Sequence, residues 1–431
     1  MHKIRTIEAN AYIGQQIQFT GWLHNVRQLG GITFIVLRDG WGTIQAVTEA
    51  ELPILNELGL ESIITLTGMV VETTQTSSGI ELHHPQIEVI EPVTESTPIP
   101  MHKRKIKAGL PTLLNHAVVN NRHPQRKAVF KLAAGAMAGF RATLNANHFT
   151  EVQSPKIVAS ATESGANVFE LGYFGKPAYL AQSPQFYKQI MVGVFERVFE
   201  VGPVFRAESH NTTRHINEYV SLDVEFGFIE NHFTVMAMVR EVLAGIFAEW
   251  QTNYQAELSL LAANVPVVPE HIPHIHFAQA KIMLAKQHPN LELTEGDLSP
   301  QEERLLGEWA EREHNSAFLF VTGYPMAKRP FYTHPQPENP AYSNSFDLLF
   351  RGTELITGGQ RLHIYNEYLA ALEKANLPIE PFETYLEAFR YGMPLHGGFA
   401  IGLERLLMQL LGLPNVRLAT LFPRDMQRLT P

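Results

Sequence analysis

Five short runs of β-forming residues, separated by turn residues, occupy the first 93 positions of the chain. Several of the gaps between them contain Gly-Gly, Asp-Gly or Ser-Ser-Gly. Short runs that end in such turns predict strands rather than helices. Five strands in about 80 residues predict a small β-barrel, with the OB-fold as the leading candidate, and such barrels often bind single-stranded nucleic acid. The runs cover residues 17–19, 32–37, 43–47, 63–71 and 80–90.

The segment after the predicted barrel changes composition twice. Pro92, Pro98 and Pro100 predict an extended linker, and a basic run at 103–107 follows. That run is interpreted either as a solvated linker or as a phosphate contact at a hinge. We predict an OB-fold domain over 1–96, a linker or hinge over 97–124 and a larger domain over 125–431.

The larger domain mixes helical and strand-like patterns. Apolar residues recur every three or four positions from Val129 to Leu144, which predicts a helix. Widely spaced strand-like runs then favour an α+β fold, with an antiparallel sheet flanked by helices, over a βαβ repeat. The chain lacks P-loop and Rossmann glycine motifs. Residues 230–320 carry few motifs and are interpreted as an insertion. The strand-like runs cover 198–204, 219–228, 318–321 and 345–350.

Composition excludes several classes of protein and site. The chain has 431 residues, no cysteine and a formal net charge of −9. Disulfides, thiolate zinc sites and cysteine nucleophiles are therefore excluded, and a general basic field for nucleic acid is disfavoured. No run approaches the ~18 apolar residues of a membrane span, and the N-terminus lacks a signal-peptide pattern. We expect a cytoplasmic protein of about two to four domains.

The densest polar segment spans residues 205–219 and leads into an alternating run at 219–228. This pattern predicts two strands joined by a polar loop. Arg206 and Glu208 would share one face of the hairpin. The arginines and histidine of the loop suit a polyphosphate, because a guanidinium is a planar donor for phosphate. An exposed, salt-bridged hairpin is the alternative interpretation.

A glycine-rich strand at 397–402 runs into an apolar helix that ends near Gly412. Glycines allow a ligand to approach the backbone closely. Arg405 falls in the first helical turn, where the helix dipole disfavours a cation. An anionic ligand would compensate for that conflict, which indicates a functional position.

These two segments resemble motifs 2 and 3 of class II aminoacyl-tRNA synthetases, and residues 149–157 after a helix resemble motif 1. A leading OB-fold is typical of the subclass for aspartate, asparagine and lysine. Segments 181–189, 329–333 and 358–361 are similar to those of aspartyl enzymes, and the ending 422–431 is similar to the compact archaeal-type branch. The resemblance implies ATP-dependent formation of aspartyl-adenylate and transfer of aspartate to the 3′ end of tRNA.

For the amino acid, the resemblance implies that Lys188 and Arg361 bind the side-chain carboxylate. An acidic residue occupies the position of Lys188 in asparaginyl enzymes, which disfavours that assignment. Glu163 lies in a stretch that resembles the mobile loop of the family. The full implied aspartate site is Glu163, Gln185, Lys188, Arg206, Asp223, Thr357 and Arg361.

For ATP, the resemblance assigns Arg206 to the α-phosphate and Arg405 to the γ-phosphate, and these two with Glu208 are the expected catalytic residues. Tyr219 would stack on adenine. Glu354, Asp347 and Thr357 would hold Mg²⁺, with Thr357 replacing the usual Ser. Ser209 replaces a common Glu. The implied ATP site is Arg206, Glu208, Arg214, His215, Ile216, Tyr219, Glu354, Gly402, Leu403, Glu404 and Arg405.

In the OB-fold, the resemblance assigns Arg27, Phe34 and Gln45 to the anticodon, although Phe34 also suits a barrel core. The same resemblance implies relaxed specificity from His24, and less directly from Pro85, and so predicts charging of both tRNA(Asp) and tRNA(Asn). A lone histidine with a structural role is the alternative.

Other readings of the chain stay open at this point. They are a tRNA(Asp)-only enzyme, an asparaginyl synthetase, an asparagine-synthetase-like paralogue and an inactive tRNA-binding protein. The metal carboxylate Glu354 and the phosphate-binding arginines favour an enzyme. Motif 1 implies a homodimer, and relaxed charging would call for a downstream tRNA-dependent amidotransferase.

Overall fold

The computed structural model describes residues 4–76, 78–159, 167–209 and 212–431. The chain divides into two compact units, Met1–Arg126 and Lys127–Pro431. The division falls inside the first turn of a long helix that begins at Pro124. The boundaries at 96 and 124 stay a prediction.

The first unit contains a closed barrel in the strand order β1-β2-β3-β5-β4. Side chains alternate between the interior and the surface, and Phe19, Leu37 and Leu66 are among those fully buried inside. A Cβ at Gly21 would lie 2.3 Å from the Arg38 carbonyl oxygen, so only glycine permits this close strand crossing. The elements are β1 (Gln16–Leu29), β2 (Ile32–Arg38), β3 (Thr43–Thr48), α1 (Ile54–Glu57), β4 (Ile63–Glu72) and β5 (Ile80–Glu91).

The predicted linker is partly helical. It contains α2 (Leu110–Asn115) and α3 (Ala117–Asn120). Pro111 stands in the first turn of α2, where the missing N–H costs no helical hydrogen bond. The prolines before residue 101 thus mark an irregular segment, whereas this one begins a helix.

The second unit is built on an eight-stranded sheet in the order β12-β13-β14-β15-β16-β11-β10-β6, beside a small sheet in the order β7-β9-β8. Its strands are β6 (Thr150–Glu151), β7 (Ile157–Val158), β8 (Glu170–Tyr173), β9 (Lys176–Leu180), β10 (Arg197–Phe205), β11 (Glu218–Gly227), β12 (His274–His276), β13 (Phe318–Thr322), β14 (Ser345–Phe350), β15 (Thr353–Gln360) and β16 (His396–Gly402). Its helices are α4 (Pro124–Ala146), α5 (Gln185–Phe195), α6 (His232–Asn253), α7 (Gln255–Leu261), α8 (Phe277–Gln287), α9 (Pro300–His314), α10 (Tyr365–Lys374), α11 (Glu383–Arg390) and α12 (Leu403–Leu411).

The main hydrophobic core lies between one face of this sheet and helices α4, α6 and α12. Helices α4 and α6 approach each other closely, because a Cβ at Gly139 would lie 2.8 Å from the Ile246 Cα. The indole of Trp250 is buried and donates a 2.7 Å hydrogen bond to the Leu132 carbonyl. This packing leaves the opposite face of the central strands available for a site.

The predicted sheet is correct in its centre and differs at its edges. The strand pairs from β13 to β10 are antiparallel, but β12 runs parallel to β13 and β6 runs parallel to β10. Both edge strands are two or three residues long, so their sequences carry little periodicity. The predicted insertion at 230–320 supplies β12, β13 and four helices to the described part of the chain. Among all the described residues of the chain, every helix is too short or too polar to cross a lipid bilayer.

Candidate active site

A cavity of about 320 Å³ opens on the face of the large sheet that points away from the main core. Tyr219, Ser221 and Asp223 of β11 line it, whereas the alternating Leu222 and Val224 lie in the core. Period-two alternation therefore separates the polar site from the packed interior. Side chains from α5, β15, β16 and α12, from the loop between β10 and β11, and from the segment around Arg329 also line it.

Small residues on β16 form the floor of the cavity. Asp223 pairs with Ala400, and Ala400 pairs with Thr357, so these three side chains share one face of the sheet. Gly398 is the cross-strand partner of Glu225. A Cβ at Gly398 would lie 2.2 Å from the Glu225 Oε2 atom. Glycine at 398 thus leaves room for a buried carboxylate.

Two cations and two carboxylates meet at one end of the cavity. Lys188 on α5 is 2% exposed, and its Nζ lies 3.1 Å from Asp223 Oδ1 and 3.3 Å from Glu225 Oε2. The Arg361 Nε donates to Glu225 Oε1 at 2.9 Å. Three of the predicted aspartate-binding residues are therefore brought together, and each cation is already ion-paired in the protein.

Glu225 is a residue of this end that sequence reasoning missed. Burial raises the pKa of its carboxyl, but Arg361 and Lys188 together bring that pKa below the ordinary value. Glu225 in turn raises the pKa of Arg361 against the opposing effect of burial. The signal was present in the sequence, because Ser221, Asp223 and Glu225 alternate on one strand face.

A buried hydrogen-bond network lies behind these ion pairs. The Gln189 Nε2 donates to the Tyr368 hydroxyl at 3.1 Å and to the His396 Nε2 at 2.9 Å. The Tyr385 hydroxyl lies 3.1 Å from Gln189 Oε1 and 2.9 Å from the Tyr368 hydroxyl, and its one proton is donated to either of these acceptors. The His396 Nδ1 donates to the Pro394 carbonyl at 2.9 Å, so its ring is neutral with Nδ1 protonated.

This network makes stability depend on pH. Burial lowers the pKa of His396 from 6.5 to about 4, so the unfolded chain takes up the proton first as pH falls. We expect the contribution of His396 to the free energy of unfolding, on the order of 3 kcal/mol, to be fully present above pH 6.5 and to be lost between pH 6.5 and 4. Urea unfolding at a series of pH values measures this. His396→Asn is expected to flatten the slope in that window, and parallel curves for the two proteins would contradict the assignment.

The polar hairpin loop between β10 and β11 forms a second part of the site. The Arg206 Nη1 lies 3.9 Å from Glu208 Oε1, and the His215 Nε2 lies 3.8 Å from Glu208 Oε2. The Arg206 guanidinium lies 5.8 Å from the Tyr219 ring centroid. The Asn217 Nδ2 donates to the carbonyls of Arg206 and Glu208 at 2.7 and 3.2 Å, which holds the loop against its strand. The predicted side chains of this part all line the cavity, namely Arg206, Glu208, His215 and Tyr219.

Arg405 and Glu354 meet across α12 and β15. The Arg405 Nη1 donates to Glu354 Oε1 and to the Glu354 carbonyl, both at 3.1 Å. This contact partly resolves the conflict between Arg405 and the helix dipole. Burial would raise the pKa of Glu354, but Arg405, Arg329, Arg206 and Arg214 hold that pKa below its ordinary value. The Glu354 carboxylate is therefore ionised at neutral pH.

A β-bulge explains how Glu354 and Thr357 reach the same cavity. In a regular strand, residues three apart point to opposite faces. The register against β14 shifts between Leu348 and Leu349, which makes Leu355 the extra residue. The Thr357 hydroxyl consequently lies 3.4 Å from Glu354 Oε1. The bulge was not predicted from the sequence.

Asp347, the other predicted metal carboxylate, has a different partner. The Arg329 Nη2 donates to its Oδ2 at 3.0 Å, and burial raises the pKa of Asp347 despite that arginine. Arg329 stacks on Tyr324 at 4.0 Å and lines the cavity, whereas Asp347 is not among the described residues that line it. The role of Asp347 as a metal ligand stays a prediction, and Arg329 is a cavity cation whose individual role was not predicted.

The remaining predicted residues differ in their surroundings. Gln185, Ile216, Gly402 and Glu404 line the cavity, but Leu403 packs into the main core and offers only its backbone. Burial raises the pKa of Glu404 to about 7, although the Val220 N–H donates to its carboxylate. Glu163 lies outside the described residues.

In the barrel, Arg27, Phe34 and Gln45 form one surface group. Arg27 and Phe34 are direct cross-strand partners, with the guanidinium 5.7 Å from the ring centroid. The Arg27 Nη2 donates to Gln45 Oε1 at 3.0 Å. Phe34 is partly exposed and is not a member of the barrel core among the described residues. The geometry therefore favours the stacking interpretation over the core interpretation.

His24 and Pro85 are both buried at irregular strand positions. His24 is the extra residue of a bulge in β1, is 9% exposed and faces Glu61, with 3.8 Å between its Nδ1 and Oε1. Arg38 donates to the other Glu61 oxygen at 2.7 Å. Pro85 lies where the β4–β5 register shifts, a position that tolerates the missing N–H. Bulges redirect side chains, so alternation did not predict these orientations.

Comparisons with known proteins identify the family. The model of tRNA synthetases class II (D, K and N) matches residues 110–426, and that of the OB-fold nucleic acid binding domain matches residues 17–90. The chain is a class II tRNA synthetase. The predicted family, the OB-fold and the α+β domain are thereby confirmed.

Individual relatives match this synthetase along nearly its whole length. It is 46% identical to an aspartate–tRNA(Asp/Asn) ligase of Thermus thermophilus, over 98% of this chain and 99% of that protein. An aspartate–tRNA(Asp) ligase of Thermoplasma acidophilum is 38% identical, over 97% of each chain. The crystal structure of asparaginyl-tRNA synthetase from Pyrococcus horikoshii, complexed with asparaginyl-adenylate, superposes with a TM-score of 0.92 at 30% identity and covers 100% of both chains.

Proposed function

We propose that this synthetase activates L-aspartate with ATP and transfers it to the 3′ end of tRNA. The observation that carries the proposal is the buried pair Lys188 and Arg361 at one end of the cavity, with Arg206, Arg214 and Arg405 lining the same cavity. The pair suits an anionic amino-acid side chain, and the other arginines suit a polyphosphate. The names of the curated relatives support the same substrate.

In the first step, the α-carboxylate of aspartate attacks the α-phosphorus of ATP. A carboxyl oxygen–phosphorus bond forms, the bond to the bridging oxygen breaks, and pyrophosphate leaves with the bonding electrons. Reactions of this kind depend on positioning and charge stabilisation rather than on a protein nucleophile. Arg206 would neutralise charge on the α-phosphate and Arg405 on the γ-phosphate, so the absence of cysteine is no obstacle.

In the second step, a hydroxyl of the terminal ribose of tRNA attacks the acyl carbon. The hydroxyl proton is released to solvent, an ester bond forms to the acyl carbon, the bond from that carbon to the phosphate oxygen breaks, and AMP leaves with the bonding electrons. No side chain needs to form a covalent intermediate. Arg206 would again stabilise the charge on the departing phosphate.

Mg²⁺ is part of the proposal, with Glu354 and Thr357 as the residues that would hold it. The donor set fits, because an ionised carboxylate and a hydroxyl are hard oxygen ligands and the β-bulge at Leu355 places them 3.4 Å apart. Among the described residues, no group of three or more His, Asp and Glu side chains could hold a metal ion by itself. Phosphate oxygens would complete the coordination, and Mg²⁺ when bound offsets phosphate charge.

Charge complementarity favours aspartate over asparagine. A neutral amide would leave Lys188 and Arg361 without a compensating anion from the substrate. The overall fold does not separate the two substrates, since an asparaginyl enzyme shares it at a TM-score of 0.92. The decision therefore rests on these two buried side chains.

We further propose that both tRNA(Asp) and tRNA(Asn) are charged. His24 and the Asp/Asn names of most of the similar relatives support relaxed specificity. The Thermoplasma relative, named for tRNA(Asp) alone, favours a restricted enzyme as the second candidate. Because His24 is buried against Glu61, it would act on the anticodon surface through the bulge that it occupies.

Two assays test these proposals. With ATP and Mg²⁺, we expect pyrophosphate exchange to depend on aspartate, to be at least about a hundredfold slower with asparagine, and to stop when the metal is chelated. Charging of tRNA(Asp) and tRNA(Asn) transcripts with labelled aspartate is expected at similar rates. Exchange that prefers asparagine would overturn the substrate, and charging of tRNA(Asp) alone would establish the restricted enzyme.

Partners and location complete the proposal. We propose a cytoplasmic homodimer that pairs through motif 1, whose strand β6 lies at a sheet edge with both residues exposed. An unpaired edge of this kind suits pairing with a second copy. If tRNA(Asn) receives aspartate, a tRNA-dependent amidotransferase would convert the product.

A further inference from the structure

Glu303 connects two parts of the nucleotide end of the cavity from outside it. This residue belongs to the first turns of α9, in the segment predicted to be an insertion, and is 6% exposed. Its Oε2 accepts from the Arg214 Nη1 at 3.2 Å and from the backbone N–H of Glu354 at 2.9 Å. One carboxylate oxygen thus holds both the hairpin-loop arginine and the start of strand β15.

The position of Glu303 is set by close backbone packing. A Cβ at Gly307 would lie 2.5 Å from the Gly352 Cα, so α9 rests directly on the β14–β15 turn. That turn contains Gly352 at φ +69°, which favours glycine. At the other side, Ser299 and Glu302 form a capping box that fixes the start of α9, and Lys281 pairs with Glu302.

We propose that Glu303 is a positioning residue that sets the orientation of Arg214 for the nucleotide. The inference rests on the proposed function, because it assumes that Arg214 contacts ATP. Arg214 arises from a polar loop and is partly exposed, whereas Glu303 is buried on a packed helix. Glu303 therefore determines where the guanidinium of Arg214 points. The same oxygen keeps the backbone of Glu354 in register with it.

Glu303 is expected to affect the nucleotide end of the site and not its amino-acid end. The Glu303 carboxylate contacts Arg214 and the backbone of Glu354, which belong to the nucleotide end of the cavity. Loss of its charge should consequently affect ATP and leave aspartate binding intact. A purely structural residue would instead lower stability and disturb both substrates together.

Kinetics of aspartate-dependent pyrophosphate exchange test this with Glu303→Gln, which preserves the size of the side chain. We expect the KM for ATP to rise about tenfold, as for loss of one charged hydrogen bond, while the KM for aspartate stays within about twofold. Glu308→Gln is the matched control, since Glu308 is exposed on the same helix. It is expected to change neither KM.

A double-mutant cycle shows whether Glu303 acts through Arg214. In the Arg214→Ala background, Glu303→Gln is expected to raise the KM for ATP by less than about twofold. Multiplicative effects, an unchanged KM for ATP in the single variant, or equal rises in both KM values with a lower Tm would each overturn the inference. These outcomes are distinct from failure of the proposed function, which the unmodified protein would show as no aspartate-dependent exchange.

Discussion

Replacing Lys188 with methionine is expected to abolish aspartate activation and to lower the free energy of unfolding by about 3–5 kcal/mol. The Nζ of Lys188 is buried between Asp223 and Glu225 and also donates to the carbonyls of Val224 and Phe399. Methionine has a similar length but leaves two buried carboxylates with only Arg361 to compensate them. Urea unfolding measures the stability, and aspartate-dependent pyrophosphate exchange measures the activity.

A charge-compensated variant separates these two effects. Adding Asp223→Asn to Lys188→Met removes one of the stranded carboxylates, so we expect most of the lost stability to return. Activation of aspartate is expected to stay absent, because the cation for its side chain is still missing. Unchanged stability in the single variant, or activity in either variant, would contradict the ion-pair assignment.

Arg206→Ala is expected to slow adenylate formation by about 10²–10³-fold, the usual effect of removing one donor to a developing charge. Stability should change by less than about 1 kcal/mol, since its pair with Glu208 is 3.9 Å long and the Arg206 side chain is 38% exposed. Single-turnover kinetics at saturating ATP and aspartate measure the chemical step.

The control for this variant is Arg312→Ala. Arg312 on α9 is 57% exposed, and its side chain pairs with the neighbouring Glu313. Its loss is expected to leave the rate of adenylate formation unchanged. If Arg206→Ala retained more than about a tenth of the rate, its proposed role at the α-phosphate would be wrong.

The predictions that agree best with the structure are those based on the periodicity of apolar residues. The five runs in the barrel and the runs at 198–204, 318–321 and 345–350 match observed strands within one or two residues, except that β1 extends from Gln16 to Leu29. The polar hairpin around Arg206 and the glycine-rich strand before Arg405 also form as expected. Burial on one face requires these patterns, and the resulting periodicity is carried by each segment itself.

Side-chain contacts between segments that are distant in the sequence were much harder to predict. Glu225 lies in the alternating run at 219–228, but its role depends on Arg361, 136 positions later, and on the space left by Gly398. Glu303 lay in a segment without motifs, and its partners Arg214 and Glu354 come from two other elements. Such contacts have no period and no spacing that a single chain displays.

By itself, the sequence determined which residues form strands, which polar side chains share a strand face, and which motifs belong to a class II synthetase. The tertiary structure alone decided where alternation breaks. Bulges turn His24 toward Glu61 and bring Glu354 to the same face as Thr357. The tertiary structure also decided which carboxylate each arginine contacts. The physical reason is that ion pairing and bulge position depend on neighbouring strands and helices, whereas periodicity depends only on the segment that carries it.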